Sequence, residues 1–209
     1  MKTLFINSMK YPEDEHEHIG KVVANFHFLS IHNEDINDAI SLYFALNRNY
    51  EQQRKREYLK WMLVPARDGA ISLYHYCKMI EFIRNSFKLC PVFRSKVKID
   101  ELRDAQKKFQ EYFPFAKELR NAVAHSAELV ENDQKIDRNA VRNFEMGTTK
   151  IVESKTILRS HLDGNTFMYT IDGEVVFYNL TNDTLNALAA VTNQIHSAFP
   201  DDLNFHSKL

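Results

Sequence analysis

Apolar residues recur at helical spacing through the first part of this sequence, and this periodicity constrains the fold more than any other feature. Within residues 12–32 the repeating apolar positions are Ile19, Val22, Val23, Phe26 and Leu29. A repeat of three and four residues places such side chains on one face of an α-helix, where they can be buried together. Only five Gly and five Pro occur in the 209 residues, so few tight turns interrupt the helices. We therefore predict a mainly all-α fold, an antiparallel helical bundle.

Helix boundaries can be read from residues that favour the ends of helices. After the first helix, the polar residues that begin with Asn33 are expected to start a second one. Pro65 is expected to break or kink the next apolar stretch, because proline lacks a main-chain donor. The strongest helical pattern covers 68–87, and another covers 100–112. Together with the motif helix described below, these segments predict a helical core over about residues 12–127.

The character of the sequence changes after residue 127. Residues 167–171 and 174–178 are rich in β-branched and aromatic side chains, and they flank Asp172 and Gly173. An Asp-Gly pair between two such runs is a strong signal for a two-residue hairpin turn. The sequence therefore predicts a small β-hairpin over residues 166–178, appended to the helical bundle.

A final helix is expected after the hairpin. It should cover residues 183–199, with Asn182 or Asp183 as the capping residue. Hydrophobic residues make up 44% of the chain, which is the content of a folded globular protein. No repeat or linker divides the sequence, so we predict a single domain over residues 1–209.

Composition also bears on the location of the protein. No apolar run approaches the 18 residues that a membrane-spanning helix needs, and the first seven residues are too short for a signal sequence. We therefore expect a cytoplasmic protein with no membrane partner. Cys77 and Cys90 fit reduced thiols in that compartment, because their spacing is not that of metal ligands.

Other kinds of active site find little support. The run from Glu13 to His18 contains carboxylates and imidazoles, and Asp14 and His18 can share a helix face. No closed set of ligands for zinc or iron surrounds them, so we expect a solvated acidic helix start and no metal. The sequence has no phosphate-binding glycine loop and no serine-hydrolase elbow. No cofactor is therefore predicted.

The hexapeptide from Arg120 to His125 carries most of the chemistry in this chain. It places a permanent cation, the Asn121 side-chain amide and an imidazole within six residues. An arginine can neutralise a phosphate through paired hydrogen bonds, and a histidine can move a proton near neutral pH. These groups are the minimum needed to cleave RNA without a metal, since the 2′-hydroxyl needs a base and the phosphorane needs a cation.

Helical geometry brings some of these groups together. Asn121 and His125 are four residues apart and share a helix face, so the amide can orient the imidazole. Arg120 and His125 are separated by roughly 140° and about 7.5 Å of rise, a gap that a long arginine side chain can cross. One copy still offers a single Arg and a single His. Two copies facing each other across a two-fold axis would form a fuller site, so we predict a homodimer.

At this point the chain resembles the HEPN superfamily of all-helical domains. Ribonucleases of that superfamily carry Arg, a polar residue that is often Asn, three variable residues and His, a pattern that Arg120, Asn121 and His125 match. The run from Phe113 to Ser126 is similar to the family's last core helix. The resemblance implies a HEPN-like helical bundle and a metal-independent endoribonuclease whose catalytic residues are Arg120, Asn121 and His125.

The same resemblance implies partners and a role. It implies RNA as substrate, products ending in a 2′,3′-cyclic phosphate or a 3′-phosphate, and a homodimer whose motifs meet at the interface. It also implies the role of a toxin or anti-phage effector, with an antitoxin protein as a further partner. The alternative is a non-catalytic HEPN-like module that binds RNA, a nucleotide or a protein. A surface role for the Arg and the His at the end of a helix also remains open.

Charge and aromatic residues suggest where a substrate could bind. Residues 48–120 contain 17 Lys and Arg against 9 Asp and Glu, whereas the remaining residues contain 10 against 19. A basic segment leading into the motif suits a phosphate backbone. Tyr74 and His75 could stack or contact bases, although aromatic residues at helical spacing usually belong to the core. With Lys117, they are our candidate substrate-binding residues.

Overall fold

The computed structural model describes residues 2–4, 6–200 and 205–207, and it is mainly helical, as predicted. Within these residues the helices are α1 His16–Gln53, α2 Arg56–Ser86, α3 Pro91–Arg94, α4 Ile99–Tyr112, α5 Ala116–Ala124, α6 Asp133–Asn139 and α7 Asn182–Ser197. The strands are β1 Lys2–Leu4, β2 Phe144–Met146, β3 Thr149–Ile151, β4 His161–Asp163, β5 Thr166–Ile171, β6 Glu174–Asn179 and β7 Phe205–Ser207. None of the described helices combines the length and apolar content needed to cross a membrane.

The contacts of the chain group it into two compact units. Unit 1 comprises the described residues within 1–34, 75–112 and 185–209, and unit 2 comprises residues 35–74 and 113–184. The helices α1 and α2 each contribute residues to both units. Folding of the whole chain as a single domain stays a prediction.

The first helix is longer than the sequence predicts. We expected a new helix to start at Asn33, but α1 continues without interruption from His16 to Gln53. The apolar stripe explains the difference, since Leu29, Ile36 and Ile40 are all fully buried on either side of Asn33. Packing along a continuous face outweighs the modest preference of asparagine for helix ends.

The second helix also passes through an expected break. Pro65 lies inside α2, and the helix continues to Ser86. Proline removes one main-chain hydrogen bond from a helix interior. Ala66, Ala70 and Leu73 follow it with no exposed surface, so burial of this face offsets the lost hydrogen bond.

In unit 1, a buried tyrosine joins helices that are distant in the sequence. Tyr76 stacks on Phe109 with ring centroids 5.6 Å apart, and its hydroxyl lies 2.7 Å from the Thr192 hydroxyl. Burial raises the pKa of Tyr76 above its ordinary value. The phenol therefore stays protonated and available for its hydrogen bond.

The acidic start of α1 is more than a solvated surface. Glu15 is only 2% exposed, and its carboxylate accepts hydrogen bonds from the main-chain nitrogens of Val92 at 2.7 Å and Phe93 at 3.0 Å. A carboxylate stabilises the amides at a helix start, which have no partner inside the helix. The expectation of a solvated acidic start is wrong for Glu15, which fixes the position of α3.

In unit 2, the predicted hairpin is present as part of a larger sheet. Strands β5 and β6 pair antiparallel with Ile171 opposite Glu174, and β4 adds a third antiparallel strand on the other side of β5. Asp172 and Gly173 form the turn with φ values of 52° and 77°, which an Asp-Gly pair tolerates well. Strands β2 and β3, which lie before this sheet in the sequence, form a separate two-stranded sheet.

Two tyrosines hold the interior of unit 2 together. The Tyr178 hydroxyl donates to the Ala66 carbonyl oxygen at 2.7 Å, and the Tyr43 hydroxyl donates to the Gly164 carbonyl oxygen at 2.6 Å. Burial raises the pKa of Tyr178 well above its ordinary value, with smaller contributions from Asp68 and Tyr43. Both phenols therefore serve as permanent donors between main-chain segments far apart in the sequence.

The start of the last helix differs in detail from the prediction. Thr181, rather than Asn182 or Asp183, accepts a hydrogen bond from the Thr184 main-chain nitrogen, at 3.4 Å. The Thr184 hydroxyl in turn donates to the Asn179 carbonyl oxygen at 2.5 Å. A threonine one residue earlier can cap a helix equally well, so the sequence places this helix correctly but not its cap.

Candidate functional site

The motif residues 120–124 lie on α5, a helix of nine residues that packs against β5 and β6, and His125 directly follows the helix. Leu119 and Ala122 are buried, and Val123 is half-buried. Just before the helix, Phe115 packs on Phe177 of β6 with ring centroids 5.3 Å apart. The apolar side of α5 therefore fixes the helix on the sheet and leaves its polar residues at the surface.

Arg120 is half-buried and is held by two neighbours. Its guanidinium carbon lies 5.3 Å from the centre of the Tyr74 ring, and Nη1 donates to the Asn121 side-chain oxygen at 3.3 Å. A guanidinium over an aromatic face is attracted by the ring's negative face. Among the described residues Arg120 has no carboxylate partner, so its charge can act on an anion.

His125 ends the helix rather than lying within it. Its main-chain nitrogen donates to the Asn121 carbonyl oxygen at 2.9 Å, but its φ of −112° and ψ of 27° are not helical. The imidazole Nδ1 lies 2.9 Å from Glu128 Oε1, and the His125 side chain is 51% exposed. Since a carboxylate accepts, Nδ1 donates, and in the neutral imidazole Nε2 carries the lone pair.

The expected contact between Asn121 and the imidazole is not formed. That expectation assumed helical geometry at His125, and the change in backbone direction there turns the ring toward Glu128. The Asn121 amide instead accepts from Arg120. Asn121 thus contacts the Arg120 guanidinium, and Glu128 contacts the His125 imidazole.

His125 and Glu128 line a cavity of about 210 Å³ within unit 2. Its other lining residues are Leu129, Lys135, Arg138, Asn139, Ile171 and Asp172. Arg138 pairs with Asp172 at 2.6 Å, and the buried Asn139 accepts from the Asp172 main-chain nitrogen at 3.0 Å. The hairpin turn therefore forms one wall of the cavity that holds the imidazole.

Several residues of this cavity could not be named from the motif alone. Glu128 follows His125 by three residues, a spacing at which two side chains can meet. That spacing could have predicted the contact, but the motif pattern does not include residue 128. Arg138 and Asp172 are 34 positions apart, and no local pattern joins them. Long-range pairs of this kind become visible only once the fold is known.

The candidate substrate-binding residues have different surroundings. The Tyr74 ring contacts the Arg120 guanidinium and so lies beside the motif. Lys117 is exposed on α5. His75 lies in unit 1, where its ring is stacked on His32 with centroids 5.2 Å apart. Tyr74 is therefore in direct contact with the motif, whereas His75 packs on His32 in unit 1.

The structure does not place all the motif side chains around one cavity. Glu128 holds the His125 imidazole at the cavity, whereas Arg120 contacts Tyr74 and Asn121 and is not among the residues that line it. An imidazole can accept a proton and a guanidinium can bind an anion.

Other chemical groups offer less. Burial raises the pKa of the Cys77 and Cys90 thiols in unit 1 to about 11, so neither is an activated nucleophile. Within the described part of the chain, no three His, Cys, Asp or Glu side chains are grouped as metal ligands.

Comparison with known proteins does not identify a family. No model of a protein family matches the chain, and no curated protein or solved structure matches it significantly. Its function is therefore inferred from the residues and geometry described above.

Proposed function

We propose that this protein is a HEPN-like, metal-independent endoribonuclease that cleaves RNA through attack by the 2′-hydroxyl. The observation that carries the proposal is the exposed His125 imidazole, held at Nδ1 by Glu128, at the end of the helix that also carries Arg120. This pairing leaves the Nε2 lone pair directed away from the carboxylate. A base in that state can accept a proton from a ribose hydroxyl.

The proposed reaction needs no group beyond those of the protein and the substrate. His125 Nε2 removes the 2′-hydroxyl proton, and the 2′-oxygen bonds to the adjacent phosphorus. The bond from phosphorus to the 5′-oxygen breaks, and that oxygen leaves with a proton from an acid. The products are a 2′,3′-cyclic phosphate and a 5′-hydroxyl. Arg120 offsets the negative charge that develops on the phosphate oxygens.

A homodimer would supply the second proton-transfer group. Each α5 offers one imidazole, whereas the reaction uses a base and an acid. In an isologous interface near Asn121 and His125, each copy would contribute the same residues to a shared site. One His125 would then act as base and the partner copy would supply the acid.

The first experiment is incubation of single-stranded RNA with the purified protein in EDTA. We expect internal cleavage with 2′,3′-cyclic phosphate ends, and light scattering should give the mass of a dimer. Activity that appears only with added divalent metal would contradict the proposal. Retained RNA affinity with no turnover would instead identify a binding module, and a monomeric mass would contradict the shared site.

A further inference from the structure

We propose that unit 1 contains a separate binding pocket for the diphosphate group of a small ligand. This proposal does not depend on the proposed ribonuclease activity. The pocket is a cavity of about 280 Å³ formed by the end of α2, the turn after it, α3 and α4. Its lining residues are Glu81, Arg84, Asn85, Phe87, Lys88, Arg94, Ile99, Arg103 and Gln106.

The charges around this pocket are strongly unbalanced. Arg84, Lys88 and Arg94 have no carboxylate partner among the described residues, although all three line one small cavity. The fourth cation, Arg103, pairs with Asp100 at 2.7 Å. The single carboxylate of the lining, Glu81, is neutralised by Lys78 at 2.6 Å. About three positive charges therefore remain for a bound anion.

Polar contacts also prepare the pocket for phosphate oxygens. Arg84 is half-buried, and its Nη1 donates to the side-chain oxygen of Gln106. This contact leaves the Gln106 amide nitrogen as a donor, and Asn85 offers a second side-chain amide. Guanidinium groups and neutral amides offer several hydrogen-bond donors. These donors suit the several acceptor oxygens of a phosphate ligand better than they suit a ligand with a single carboxylate.

Core contacts set the backbone around the pocket. Phe87 and Phe93 are buried and lie 5.5 Å apart between ring centroids, which fixes the turn after α2 against α3. Glu15 accepts from main-chain amides of α3 and holds the helix that carries Arg94. The cations are therefore attached to backbone segments whose positions are set by the core, and binding has to order only their side chains.

Size and composition favour a compact diphosphate. Cavities for drug-sized ligands start at about 300 Å³, so this one suits one or two phosphate groups with the rest of the ligand outside. Phe87, the aromatic residue of the lining, is 1% exposed and cannot stack on a base. Successive phosphates of an RNA strand carry one charge each and are spread along the chain, whereas a diphosphate concentrates about three charges in this space.

The test is isothermal titration calorimetry on the full chain without magnesium, using inorganic pyrophosphate, ADP, acetate and a single-stranded oligonucleotide. We expect saturable binding of pyrophosphate and ADP and none of acetate. The double variant Lys88→Gln/Arg94→Gln should weaken pyrophosphate binding by about ten- to a hundredfold, because two charge-assisted contacts are lost. Lys107→Gln, an exposed change on α4 outside the pocket lining, is the matched control.

Each result decides the question. Absence of saturable pyrophosphate binding at millimolar concentration would overturn the proposal, and so would equal loss in the Lys107 control. Binding of the oligonucleotide through Lys88 and Arg94, without binding of pyrophosphate, would assign the pocket to a nucleic-acid backbone instead. The melting temperature measured by circular dichroism should be the same for all variants, since the substituted side chains are exposed.

Discussion

Two regions of unit 2 use polar side chains in opposite ways. Around Tyr178 and Tyr43 the hydroxyls are buried, their pKa values are raised, and each is bonded to a main-chain carbonyl. At the end of α5, Arg120 is half-buried and has no carboxylate partner among the described residues, and His125 is half-exposed. In the first region both tyrosine hydroxyls have a main-chain acceptor, whereas in the second a half-buried guanidinium has no carboxylate partner in the described part of the chain and an imidazole is half-exposed.

This comparison separates polar groups that stabilise the fold from polar groups that are proposed to take part in the reaction. A buried hydroxyl with a main-chain partner stabilises the fold, and its loss removes a buried hydrogen bond. The His125–Glu128 pair is exposed and contributes little to stability, because exposed pairs are worth about 0–1 kcal/mol. Substitutions in the first region should therefore change stability, and those in the second should change activity.

The largest expected effect is on activity at His125. His125→Ala should lower the rate of RNA cleavage by about 10²–10⁴, because general acid–base catalysis is worth that much. Arg120→Lys should also cleave poorly, since a point charge cannot replace the planar guanidinium. Melting temperatures measured alongside should stay close to that of the unmodified protein. A His125→Ala protein that unfolds would show instead that this end of α5 is structural.

The next largest effect is on stability at Gly69. A Cβ added there would lie 2.5 Å from the Tyr178 hydroxyl oxygen, so Gly69→Ala should destabilise the fold by about 1–3 kcal/mol. This outcome opposes the usual gain when alanine replaces glycine inside a helix. Urea denaturation followed by circular dichroism measures the change.

The matched control for this prediction removes the hydroxyl oxygen. Tyr178→Phe alone should cost about 1 kcal/mol through the lost hydrogen bond to Ala66. In the double variant Gly69→Ala/Tyr178→Phe, the added Cβ would meet the ring carbon at 3.4 Å and Ala39 Cβ at 3.5 Å. The double variant should therefore be more stable than Gly69→Ala alone. Additive losses would show that the clash with the hydroxyl is not the cause.

The smallest expected effect is on the rate of RNA cleavage when Glu128, which contacts the His125 imidazole, is substituted. Glu128→Gln should reduce cleavage about two- to fivefold, because an exposed pair is worth at most about 1 kcal/mol. Glu145→Gln is the control, since that exposed carboxylate pairs with Lys150 and neither residue lines the cavity. Single-turnover rates at saturating RNA would measure both. A loss as large for Glu145 as for Glu128 would point to general electrostatics rather than to a held imidazole.

Local patterns in the sequence predicted a good part of this structure. The Asp172-Gly173 pair located the hairpin turn, because that dipeptide tolerates the two positive φ values. Helical spacing identified an apolar stripe on α1, of which Ile19, Val22, Phe26 and Leu29 are buried. Both predictions rest on interactions between residues that are close in the sequence.

The structural features that the sequence did not predict depend on contacts between residues far apart in the sequence. Glu15 caps a helix 77 positions away, and Tyr178 reaches a carbonyl 112 positions away. The continuity of α1 past Asn33 likewise follows from burial of one long face, which outweighs a local preference. At the candidate site, the roles of Arg120, Asn121 and His125 stay predictions from the motif, whereas the cavity walls from the hairpin turn required the folded chain.

The most direct test of the central claim compares two substrates that differ by one oxygen atom. After the cleavage position is mapped on a short RNA, the same strand is made with a 2′-deoxy residue at that position and incubated with the protein in EDTA. Because the 2′-oxygen is the proposed nucleophile, we expect the all-ribose strand to be cut and the substituted strand to remain intact there. Equal cleavage of the two strands would contradict the proposed mechanism, even if the protein proved to be a nuclease.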